Sequence, residues 1–186
     1  MGITIHYSTE RGNHLDPATA KAQVDEAIHV AADAARRYGW EFAGRSRRKN
    51  AWYLEPVPGA SSVEGHGTIR SVLWNPSPGC ESFALEWVEG TGILAYAFTK
   101  TQYAKDRVRV HAQICDLLEE LNRSVFAGKL RISDEGGYLP GRSIDTLANS
   151  FGENEAVIRR LVDSARRSGW TVSSPLDDTD THTPAA

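Results

Sequence analysis

The chain has 186 residues and a formal net charge of −3, with 40% hydrophobic and 24% charged residues. That length fits one domain with a short appendage, and the composition is globular, which excludes wholesale disorder. No apolar run is long enough to cross a bilayer, and no global field selects a polyanion.

Residues 3–7 set Ile3, Ile5 and Tyr7 against Thr4 and His6, a period of two that predicts a first strand. Asp16-Pro17 then places a capping side chain before a proline in a first helical turn. Val24, Ala27, Ile28, Ala31 and Ala35 follow at helical spacing, and Arg36, Arg37 and Gly39 close the helix. A strand-rich middle comes next. Trp40 and Phe42 alternate, as do Trp52 and Leu54, with a loop expected from Pro56 to about residue 66. Residues 68–74 read as a strand, and Asn75 to Gly79 as a second loop. Phe83, Leu85 and Trp87, the turn Glu89-Gly90-Thr91-Gly92 and the return from Ile93 to Phe98 predict a hairpin. Val108, His111, Cys115, Leu118 and Val125, widened by Ile114, Leu117 and Leu121, mark a buried helix over about 105–126. Leu130 and Ile132 form a short strand stopped by Asp134-Glu135-Gly136-Gly137, and a last helix covers about 143–168, with a break expected near Gly152.

Contiguous strands between helices predict an α+β fold: a mostly antiparallel sheet of about six or seven strands, with two or three long helices on one face. One domain is expected over 1–174 and a disordered acidic tail over 175–186, where Asp177, Asp178 and Asp180 accompany almost no apolar surface. The start of the chain lacks a basic and then apolar leader, and His6 stands where a myristoylation motif needs Ser or Thr. With only Cys80 and Cys115, which could pair only with each other, a reduced cytoplasmic setting is the simplest reading.

Phosphate-binding loops, dinucleotide fingerprints and standard zinc signatures are missing from the sequence. Reactive groups nevertheless gather at element edges. Cys80 and Lys100 end the two arms of the expected hairpin and should lie close together. His111 and Cys115 are four apart on one helix face. In one reading Cys80 is a nucleophile, His111 its base, and Asp134 or Glu135 orients the imidazole. In another, Cys80, His111 and Cys115 hold a soft divalent metal such as zinc. Glu81, Lys100, Thr101, Gln102 and Tyr138 are candidate binding residues beside them. Plainer readings compete: His111 as a buried ring satisfied by one carboxylate or carbonyl, Cys115 as a small hydrophobe, and Asp134–Gly137 as a polar turn.

The series Cys80-Glu81, Lys100-Thr101-Gln102-Tyr103, His111-x-x-Ile114-Cys115 and Asp134-Glu135-Gly136-Gly137-Tyr138 resembles segments of a family of small bacterial proteins of uncharacterised function. The likeness spans about residues 67–150 and implies a bacterial cytosolic setting, with no activity to carry over. Separately, residues 36–50 carry six cations against Glu41 alone, with aromatic residues among them. Arg45, Arg47, Arg48 and Lys49 would suit a nucleic-acid strand, although the segment also reads as a solvated hairpin loop. The function expected is a non-catalytic protein-interaction or ligand-binding module whose partner is another protein. A thiol- or metal-dependent enzyme is the alternative, and nucleic-acid binding a weaker one.

Overall fold

A computed structural model of the chain describes residues 2–9, 15–54 and 63–172. The expected acidic tail and most of the loop after Pro56 lie outside the described residues. Among the described residues, six strands and three helices follow the order β1 (Thr4–Thr9), α1 (Pro17–Tyr38), β2 (Glu41–Leu54), β3 (Val63–Asn75), β4 (Phe83–Val88), β5 (Ala97–Lys100), α2 (Arg107–Ser124), β6 (Leu130–Asp134) and α3 (Ile144–Arg167).

The fold is α+β, and every strand pairing is antiparallel. The strands form two sheets of three, ordered β5-β1-β6 and β2-β3-β4, where sequence predicts one sheet of six or seven. The reason lies in the chain after Gly90. The expected hairpin starts as predicted, with Trp87 bridged to Leu94 and the Ala95 N–H donating to Glu86 O at 2.8 Å. From Ala97 onward the pairing passes to β1, in the register Tyr7 to Ala97 and Thr4 to Lys100. Tyr7 joins the two sheets: its hydroxyl donates to Ala84 O at 2.8 Å and accepts from Ala84 N at 3.2 Å. Burial pushes this phenol well above its ordinary range.

Local chemistry explains the helices. Asp16 caps α1 by accepting from Ala18 N and Thr19 N, and Gly39, at φ 73°, supplies the left-handed exit. The last helix runs through Gly152 without the expected break, started by Ser143, whose side chain accepts from Thr146 N. One core unites Ile5 and Tyr7 of β1, Ala27, Ala31 and Ala34 of α1, and Ile114, Leu117, Leu118 and Leu121 of α2. Neither cysteine is in a disulfide. Among the described residues no helix is long and apolar enough to cross a membrane.

The basic run overturns the expected hairpin loop. Arg45 to Lys49 lie inside β2, paired with residues 68–72 of β3. Extended backbone is held there by the ladder, while the charges are met across the sheet. Arg48 donates to Glu86 at 2.8 Å, and Glu89 accepts from both Arg47 and Arg70. Arg47 and Arg48, two of the four cations expected to suit nucleic acid, are thus matched by carboxylates of this chain. Trp40 is buried in the core, whereas Phe42, beside a bulge at Phe42/Gly44, is 60% exposed.

Candidate functional site

Three of the singled-out residues converge. His111 from the second turn of α2, Cys115 one turn later and Asp134 at the end of β6 place their ligand atoms within 4.8 Å of one another. The β1–β6 register sets Asp134 opposite Ile5 and Ile132 opposite Tyr7, so the pleat turns Asp134 inward with the core residues. Asp134 Oδ1 accepts from His111 Nε2 at 2.7 Å and from Gly136 N at 2.6 Å, and Oδ2 accepts from Leu139 N at 2.9 Å. Burial raises the Asp134 carboxyl, but the hydrogen bonds from His111, Leu139 and Gly136 outweigh it and hold the group below the usual carboxylate range. An ionised Asp134 cannot donate, so Nε2 carries the ring hydrogen. Nδ1, 2.7 Å from Thr101 Oγ1, then takes the Thr101 hydroxyl in the neutral ring.

The cluster is sealed. The His111 and Asp134 side chains are 0% and 2% exposed. Phe151 of α3 stands edge-on to the imidazole, with ring centroids 5.7 Å apart. Gly136 lies so close that a β-carbon there would come 2.6 Å from Leu147 Cδ1 and 2.8 Å from His111 Nε2. Glycine at 136 is therefore required by a close approach. Both imidazole nitrogens are engaged, so neither offers a lone pair to a metal or a thiol. Burial first, and then Asp134, Asp116 and Glu119, push the Cys115 thiol far upward. Chemically the arrangement is a hydrogen-bonded staple joining α2, β6 and the chain after β5.

Cys80 is not part of that group. Its Sγ donates to Lys100 O at 3.6 Å, which places the two residues together as the hairpin arms predicted. Gly79, at φ 78°, directs this turn, since a β-carbon there would meet Tyr103 O at 2.2 Å. Glu81 reinforces the junction: its N–H donates to Lys100 O, and its carboxylate accepts from Lys100 N. The Lys100 ammonium sits over the Tyr103 ring, 5.4 Å from its centroid. Gln102 is fully buried, and its Oε1 accepts from Ile3 N. Tyr138 donates to Asp116 at 3.2 Å.

Burial, and secondarily Glu81, push the Cys80 thiol to about 12 from an ordinary 9.0, which cuts the thiolate at neutral pH roughly a thousandfold. Both thiols of the folded protein should therefore react slowly with an alkylating reagent near neutral pH, and quickly once the chain is unfolded in denaturant. Mass spectrometry of the native protein showing rapid labelling of Cys80 would restore its candidacy as a nucleophile.

No protein-family model, curated protein or solved structure matches this chain. The functional reading thus rests on its own geometry.

Two surface features escaped the sequence reading. Glu135, a candidate partner of His111, lies one residue past β6 and turns away from the imidazole toward β1. It accepts from Thr4 N at 3.0 Å and lies 3.3 Å from His6 Nε2, while His6 Nδ1 is 2.5 Å from the Tyr96 hydroxyl. The alternation of His6 with Ile5 and Tyr7 was the available signal. The second feature is α3. Its buried residues are Leu147 and Phe151, both in its first third, and residues 152–167 run on with none. Val157 and Leu161, one turn apart, are 42% and 53% exposed, and Trp170 just past the helix end is 71% exposed. Ile158, Val162 and Ala165 lie half-buried beside them. The signal was present as an apolar spacing that continues well beyond Phe151.

Proposed function

We propose that this chain is a non-catalytic protein-interaction module, and that the second half of α3, with Trp170, is its contact element. One observation carries the reading. Of the six large hydrophobic residues exposed among the described residues, three (Val157, Leu161 and Trp170) lie in the second half of α3 or just after it. Grouped exposed apolar side chains on one element mark association surfaces, whereas scattered ones do not. The sealed His111–Asp134 staple supports the same view, because the clustered reactive groups serve packing and leave no open position for a substrate. Free thiols at Cys80 and Cys115 accord with a reducing, cytosolic setting.

A photoreactive residue placed at Leu161 in the full chain, in the cells that make it, tests the reading. Crosslinking from position 161 should yield a discrete polypeptide adduct, and crosslinking from the exposed Lys129 should not. Equal or no adduct formation at the two positions would remove the support for an α3 contact surface.

A further inference from the structure

We infer that the partner of α3 is a second copy of this chain, docked α3 against α3 in antiparallel sense. The inference rests on the interaction reading above and names its occupant. Three observations lead to it. First, residues 152–167 present about 24 Å of helix, at 1.5 Å per residue, with no buried side chain. Second, the exposed ridge of Val157 and Leu161 sits near the middle of that stretch, so a two-fold axis there apposes the same apolar patch from both copies, as an isologous dimer requires. Third, the stretch is polarised in charge. Glu153 and Glu155 occupy its first turn, and Arg159, Arg160, Arg166 and Arg167, with Asp163 alone opposing them, occupy the remainder.

Charge decides the direction. Parallel helices would set glutamates against glutamates and arginines against arginines. Antiparallel helices set the acidic turn of each copy against the basic turns of the other, and they also oppose the two helix dipoles. Glu155 is already bound by Arg107 and Arg159 within the chain. Glu153 and Arg167 make no ion pair within the described residues, and both flank the side of the helix that carries Val157. In the antiparallel arrangement Glu153 of one copy comes beside Arg167 of the other, twice per dimer. The contact would bury on the order of 1,000 Å² in total, the low end for specific interfaces, so the dimer should form and dissociate in the micromolar range.

The test is the solution mass of the full chain as a function of concentration, by sedimentation or light scattering. The unmodified protein should pass from one chain mass to two. Leu161→Asp, at an exposed position, should weaken the dimer roughly a hundredfold, with an unchanged thermal melt at concentrations where the unmodified chain is monomeric. Glu153→Arg and Arg167→Glu should each weaken it roughly tenfold, and the two together should restore it, because the reversed pairs match again. A chain that stays monomeric at every concentration overturns the inference, as does a dimer indifferent to Leu161→Asp. A doubly reversed variant no better than the single ones overturns the antiparallel arrangement. The crosslink from Leu161 separates the two readings. A monomeric chain that yields an adduct with a different polypeptide keeps the interaction module and discards self-association, while a monomer with no adduct discards both.

Discussion

Asp134→Ala should destabilise the protein by about 3–5 kcal/mol, the usual result of removing one partner of a buried, hydrogen-bonded pair. The magnitude follows from what the alanine leaves behind. Three N–H donors (His111 Nε2, Gly136 N and Leu139 N) end on the Asp134 side chain, which is 2% exposed, and alanine leaves all three without that acceptor. Against a total stability of about 5–15 kcal/mol, a loss of that size should lower the midpoint of a thermal melt by about 10 °C, measurable by calorimetry or circular dichroism. A shift within a degree or two would mean that the staple carries little of the fold. It would also reopen the cluster to a functional role, since a costly buried network that does not stabilise needs another reason to exist.

The same residue predicts a pH dependence, and its sign is fixed. The folded protein holds the Asp134 carboxyl below its ordinary value, so the folded state binds this proton more weakly than the unfolded chain does. The stabilisation is complete above the unfolded value of about 3.9 and is lost as pH falls through the lower, folded value. The acid limb of the stability curve should therefore be steeper in the unmodified protein than in Asp134→Asn, with no difference between the two slopes around neutral pH.

How much of this was legible in the sequence depends on whether a feature is local. Asp16 and Gly39 bound α1 in the structure as they do on the page, because a cap is decided by a side chain and its own next turn. The apolar stripe of α2 was equally plain. The role of Asp134 against Glu135 was not, since adjacent residues differ only in which side of a strand they face, and that is fixed by the register with β1. Arg45 to Lys49 looked like a loop because propensity sees a run of charge. Glu86 and Glu89, distant in sequence, are what make it a tolerable strand. The division into two sheets depends on where the chain after Leu94 changes partner, and no local pattern marks that point. The apolar spacing of α3 continues past Phe151, but amphipathicity says that a face wants burial and not what will bury it, so the point where the body stops covering the helix is not legible in the sequence.

Phe151→Ala should cost a comparable amount, about 3–5 kcal/mol, by a different mechanism. The ring is 1% exposed, and it closes the staple from the α3 side, edge-on to His111. Its other face receives the Arg107 guanidinium, 5.3 Å from the centroid, and Arg107 in turn binds Glu155 at 2.6 Å. Truncation would open a cavity beside the imidazole and remove the surface on which that arginine is laid, so the loss includes contacts that alanine cannot recover. Leu147 would be left as the remaining buried anchor of a 24-residue helix. The damage should therefore be local as well as global. Hydrogen exchange in α3 should rise well above what the lower overall stability requires, while α1, which shares the core with β1 and α2, should change only in proportion to it. Uniform acceleration in both helices would show that α3 unfolds only with the whole domain. An association surface carried on α3 would then be as firmly mounted as the core itself.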